Sequence, residues 1–62
     1  MPFIKIEMWE GRDAETKGKL IENVSKAVSE SLNIPMEWIT VCIDETPKEN
    51  WGIKGEHASK KY

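Results

Sequence analysis

Two short segments of alternating polarity, separated by a single stretch of helical periodicity, constrain this chain more than any other feature in it. Phe3 to Trp9 sets Ile4, Ile6 and Met8 on one face and Phe3, Lys5, Glu7 and Trp9 on the other. Period-two alternation rich in β-branched and aromatic residues predicts a half-buried strand. Ile39 to Asp44 repeats the pattern, with Ile39, Val41 and Ile43 opposed to Thr40, Cys42 and Asp44. Between them, from Ala14 to Leu32, the apolar residues Leu20, Ile21, Val24, Ala27, Val28 and Leu32 recur at three- and four-residue spacing. Lys17, Lys19, Glu22, Lys26 and Glu30 lie largely off that stripe, as on an amphipathic helix.

The local signals agree with these boundaries. Glu10-Gly11-Arg12 reads as a turn, and Asp13 suits an N-cap, its carboxylate accepting from free amides of the first turn. Glu15 complements the helix dipole, whereas Gly18 costs about 1 kcal/mol relative to alanine. Asn33 followed by Ile34-Pro35 ends the helix. A strand, a helix and a second strand form a βαβ unit, which predicts parallel strands joined by a right-handed crossover. Thr46-Pro47 breaks the second strand, Asn50 to Gly55 predicts a turn or short hairpin, and Ala58 to Tyr62 reads as a polar end. Residues 1–62 therefore form a single α+β domain without repeats or linkers.

One helix covers only one face of a two-stranded sheet. The other face and both strand edges are left bare, and an isolated parallel sheet in that state is not stable in water. Domains of this size usually need a disulfide framework, a structural metal or self-association. The single cysteine, Cys42, forms no internal disulfide, and with His57 as the one histidine the zinc spacings are absent. Self-association is the remaining device: the bare face and edges pair with other copies in a homo-oligomer. Three tryptophans, Trp9, Trp38 and Trp51, suit subunit contacts.

Nine Lys+Arg against eleven Asp+Glu, with a pI near 5.3, disfavour a nucleic-acid partner. No apolar run approaches the roughly 20 residues of a membrane span, and no secretory signal is visible, so the expected setting is cytoplasmic with Cys42 a reduced thiol.

One feature suggests chemistry. Met1-Pro2 invites removal of the initiator methionine, which would leave proline with a free secondary amine. An apolar pocket or a neighbouring cation disfavours the protonated amine and lowers its pKa toward the range in which a general base works. Phe3 and Trp51 could form the apolar wall, and Arg12 the cation. The plainer reading is that proline is common at this position and inert. Gly52-x-x-Gly55 lacks the strand-then-helix context of a phosphate loop.

Taken in order, Met1-Pro2-Phe3-Ile4, the turn Trp9-Glu10-Gly11-Arg12, the helix from Glu15 to Leu32 and Asn50-Trp51-Gly52-Ile53-Lys54-Gly55-Glu56 resemble the 4-oxalocrotonate tautomerase family over essentially the whole chain. The resemblance implies tautomerase-like β-α-β protomers assembled as dimers and then a hexamer. It also implies an isomerase of aromatic degradation, without metal or organic cofactor, acting on a small unsaturated 2-hydroxy or 2-oxo acid such as 2-hydroxymuconate. By the same resemblance Pro2 is the proton carrier, Arg12 holds a substrate carboxylate and Trp51 walls the pocket where the family usually has phenylalanine. The family's second arginine is replaced by Thr40, a hydroxyl without charge, for which Lys5, Lys48 and Lys54 are possible substitutes. Loss of a charged donor in a water-poor site is worth on the order of 10²–10³ in rate. That departure supports an alternative: a catalytically weak or non-catalytic homo-oligomeric binding or assembly protein of the same fold. The hydrolytic relatives place a water-activating carboxylate just past the pocket aromatic, where this chain has Ile53, which argues against water addition.

Because folding is expected to depend on neighbouring copies, the thermal unfolding midpoint should rise with protein concentration, and dilution should dissociate and unfold the chain together. A midpoint independent of concentration over a hundredfold range would overturn this.

Overall fold

β1 (Phe3–Trp9) and β2 (Thr40–Thr46) pair in parallel in the computed structural model, which describes all of residues 1–62. The register runs from Phe3 opposite Thr40 to Trp9 opposite Thr46. It sets Ile4 beside Val41, Ile6 beside Ile43 and Met8 beside Glu45, and this row is half-buried. Phe3, Lys5 and Glu7 share the opposite face with Thr40, Cys42 and Asp44, and all six are exposed. The alternation in the sequence thus corresponds to one covered and one bare face. β2 runs two residues past the expected Asp44 because Glu45 and Thr46 still pair with Met8 and Trp9. Pro47, which has no N–H, follows its last residue. At its start, Met36–Trp38 form a 3₁₀ turn that the periodicity did not signal.

Helix α1 (Ala14–Leu32) has the predicted bounds and caps. The Thr16 N–H donates to the Asp13 carboxylate at 2.8 Å, and Asn33 closes the helix in the left-handed region at φ 57°. Leu20, Val24 and Val28 are half-buried, and Lys17 reaches from the first half of α1 to Glu45 on β2 at 2.9 Å. Ile21 and Leu32, members of the predicted stripe, remain 37% and 57% exposed. Two strands about 5 Å apart shield only the middle of a stripe that spans 100° or more of the helix surface.

The C-terminal region departs from expectation. Gly52–Ile53 (β3) and Glu56–His57 (β4) form the predicted short antiparallel hairpin. Its turn holds Lys54 at φ 54° and Gly55 at φ 85°, the positive pair of a type I′ turn. The expected polar end is instead folded back. Ala58 donates its N–H to the Trp51 carbonyl at 2.8 Å and, at 2% exposed, is the one buried residue of the chain. The Tyr62 ring lies 5.6 Å from that of Trp9, and Lys48 Nζ donates to the Tyr62 carbonyl at 2.6 Å.

The protomer is flat, 42 × 24 × 13 Å, with a radius of gyration of 14.4 Å where about 11 Å is typical of a compact chain of this length. Its accessible surface is 4766 Å2, against about 4,100 Å2 for a compact monomer of its mass. A single copy does not enclose a core.

The Thr16 hydroxyl, and then the Thr16 N–H, hold the Asp13 carboxyl below its ordinary value of 3.8. Folding favours the charged form, so the cap supports the helix above that value and its contribution is lost as pH falls through the lowered one. Asparagine caps a helix without titrating. Asp13→Asn should therefore remove part of the loss of helical circular dichroism that the wild type shows below pH 3.8. Identical acid profiles would show that the cap does not contribute.

Candidate active site

A βαβ unit places chemistry at the two ends of its sheet. At the N-terminal end, Thr40 donates its N–H to the Pro2 carbonyl at 3.1 Å, so these two candidate residues are neighbours. Pro2 is half-buried and Thr40 exposed. Because α1 runs antiparallel to the strands, its last turn and the Met36–Trp38 turn belong to this same end. Large apolar side chains stand exposed there: Phe3 at 64%, Leu32 at 57%, Trp38 at 54% and Met36 at 43%.

Arg12 and Trp51 meet at the other end. Gly11, at φ 123° where a side chain would be strained, turns the chain out of β1 and presents Arg12. Together with Glu7, Met8, Trp9 and Trp51, Arg12 lines an open groove of about 270 Å3. Trp9 and Trp51 meet edge to face, with centroids 6.0 Å apart at 79°. Trp9, expected to be a packing or contact residue, is therefore also a wall of this groove. Its position at the end of an alternating strand, three residues before Arg12, was the available signal. Its indole N–H is buried without an acceptor, which costs about 1–3 kcal/mol.

Trp9 lies seven positions along the chain from Pro2. At about 3.3 Å per residue Pro2 and Trp9 stand roughly 23 Å apart. Within one protomer, Pro2 and Thr40 thus do not share a site with Arg12 and Trp51.

The charges are unevenly divided between the ends. Arg12 makes no ion pair, whereas Lys17 is bound to Glu45 at 2.9 Å. None of the three lysines considered as substitutes for the missing cation stands beside Thr40. Lys5 shares its face but lies 3.4 Å from Asp44, further along β2. Lys48 lies 4.9 Å from the centroid of Trp9, and Lys54 occupies the hairpin turn. His57 hydrogen-bonds Ser59 in the C-terminal segment. No three His, Cys, Asp or Glu side chains gather at metal-binding distance, and no helix is long and apolar enough to cross a membrane.

Known proteins resemble this chain over nearly its whole length. The family described as Tautomerase enzyme matches residues 2–61. A 2-hydroxymuconate tautomerase of Pseudomonas putida is 48% identical over 60 residues, covering 97% of this chain and 95% of that protein. One from Comamonas testosteroni is 45% identical over the same shares. Among solved structures, the 4-oxalocrotonate tautomerase isozymes from Methylibium petroleiphilum are similar at a TM-score of 0.89 and 45% identity, over 94% of each chain. A heterohexamer 4-oxalocrotonate tautomerase from Chloroflexus aurantiacus gives 0.94 at 27% identity, over 100% of each chain.

Proposed function

Because this chain belongs to the tautomerase family, we propose that it converts a small unsaturated 2-hydroxy acid, such as 2-hydroxymuconate, to its 2-oxo isomer with Pro2 as the proton carrier. The observation that carries this reading is the groove in which Arg12 stands without an ion-pair partner beside Trp9 and Trp51. A guanidinium free of internal carboxylates is available for a substrate carboxylate, which it binds through two parallel hydrogen bonds.

The step is a balanced isomerisation. Removal of Met1 turns the Pro2 nitrogen from an amide into a secondary amine, the form that accepts a proton. The amine takes the enol O–H proton, the C2–O bond becomes a carbonyl, and the C2=C3 electron pair takes a proton at carbon, delivered by the same nitrogen. No electron is gained or lost overall. Burial against apolar side chains and a nearby guanidinium keep the amine unprotonated before substrate arrives. Arg12 holds the substrate carboxylate, and the tryptophans exclude water and strengthen that contact.

The separation of the two ends requires a partner. Arg12 and Trp51 of one protomer close over Pro2 and Thr40 of another. A dimer-built assembly up to a hexamer accommodates this, and the solved heterohexameric relative supports such an assembly. The flat shape and the bare sheet face support it as well.

After mass spectrometry has verified loss of Met1, Pro2→Ala should lower kcat for ketonisation by about 10² or more, the usual worth of a general base. Equal rates would overturn the proline mechanism and favour the non-catalytic reading suggested by Thr40. If Pro2 and Arg12 of different copies form one site, unfolding and refolding an equal mixture of Pro2→Ala and Arg12→Ala chains should restore about a quarter of the wild-type rate by random assembly. A mixture no more active than its components would place both residues in one copy's site.

A further inference from the structure

The division of charge and apolar surface between the two ends specifies the substrate more closely than the family does. Two carboxylates, as in 2-hydroxymuconate, need two partners once water is excluded, because an unpaired buried charge is strongly disfavoured. Among the residues that line the groove the one cation is Arg12, which makes no ion pair, and Glu7 lines it as well. Lys17 is committed to Glu45, and Lys48 to the Tyr62 carbonyl and the Trp9 ring.

The Pro2 end brings none. The end of α1 and the Met36–Trp38 turn carry Glu30 and Glu37, both exposed. Lys5 is held at 3.4 Å by Asp44, and Lys26 lies 3.7 Å from Glu22, one turn back along α1. Thr40 offers a neutral hydroxyl. What this end does present is apolar area, with Phe3 and Trp38 both more than half exposed beside the Pro2–Thr40 pair. A second carboxylate placed here would find an indole, a phenyl ring and a neutral hydroxyl, and no cation free of an ion pair. An aryl or alkyl group would find stacking partners, and aromatic pairs gain from contact beyond the area they bury.

Building on the proline-base reading above, we propose that the site takes a monoanionic enol acid bearing an aryl or other apolar substituent at its β-carbon in preference to a dicarboxylate. The lone carboxylate lies on Arg12, the β-carbon faces the Pro2 nitrogen, and the substituent lies toward Trp38 and Phe3. Trp38 is then a specificity-determining residue, and Thr40 marks the place where a cation would be needed for the dianion.

The test compares ketonisation of phenylenolpyruvate and 2-hydroxymuconate by the assembled, Met1-processed enzyme. The wild type should favour phenylenolpyruvate at least tenfold in kcat/KM, with the deficit on the dicarboxylate falling mainly in KM. Thr40→Arg should raise kcat/KM on 2-hydroxymuconate at least tenfold and narrow or reverse the preference. Trp38→Ala should lower kcat/KM on phenylenolpyruvate more than on the dicarboxylate, while Trp38→Phe retains most of it. The wild-type comparison needs no substitution, so the proposal stays testable if a variant does not fold. A wild type that prefers 2-hydroxymuconate through a Pro2-dependent reaction would overturn this inference and leave the proline mechanism standing. Rates on both substrates unchanged by Pro2→Ala would overturn both.

Discussion

The parallel pairing of β1 with β2 is the constraint from which the other properties of this protein follow. Two parallel strands need a crossover, and a single 19-residue helix supplies it. One helix covers one face of the two-stranded sheet and leaves the other bare. Ile4, Ile6 and Met8 therefore gain only partial burial, as do Leu20, Val24 and Val28 on the helix, while Phe3, Lys5, Thr40 and Cys42 remain in the open. A fold of this kind gains little from core packing within one copy, and Ala58 is its one buried residue.

The same pairing separates the functional groups. A strand of seven residues has chemically different ends, and the crossover places the helix C-terminus at one and the Gly11–Asp13 turn at the other. The end that carries the proline is rich in exposed apolar side chains, and the end that carries the arginine is built from tryptophans. Neither is a complete site. Joined between copies as proposed, they would provide a base, a cation and a largely apolar enclosure, and the surface that stabilises the fold would be continuous with the surface that binds substrate. Stability and activity in such a protein are expected to share one concentration dependence.

Much of this was legible in the sequence because it is written in short-range patterns. Alternation assigned the faces of both strands, and the helix ends followed from Asp13 and Asn33, whose roles depend only on neighbours three to five positions away. The exposure of Ile21 and Leu32 was not legible, because it depends on how wide the sheet is rather than on their spacing. Nor was the packing of the last five residues. Lys60, Lys61 and Ser59 give that segment a polar composition, but Ala58 is buried by the return of the chain toward Trp51, a contact seven residues away that no periodicity marks. The place of Trp9 in the arginine groove has the same origin: it depends on Trp51, brought from 42 positions along the chain.

By itself, then, the sequence determined the elements, their order, the two faces of the sheet and the set of residues worth examining, because each rests on side-chain periodicity or local capping. Only the tertiary structure decided how those residues are grouped. It joined Pro2 to Thr40, joined Arg12 to Trp9 and Trp51, and set the two groups roughly 23 Å apart at opposite ends of a strand. Strand register and crossover direction fix that separation, and both are properties of pairing across the chain rather than along it.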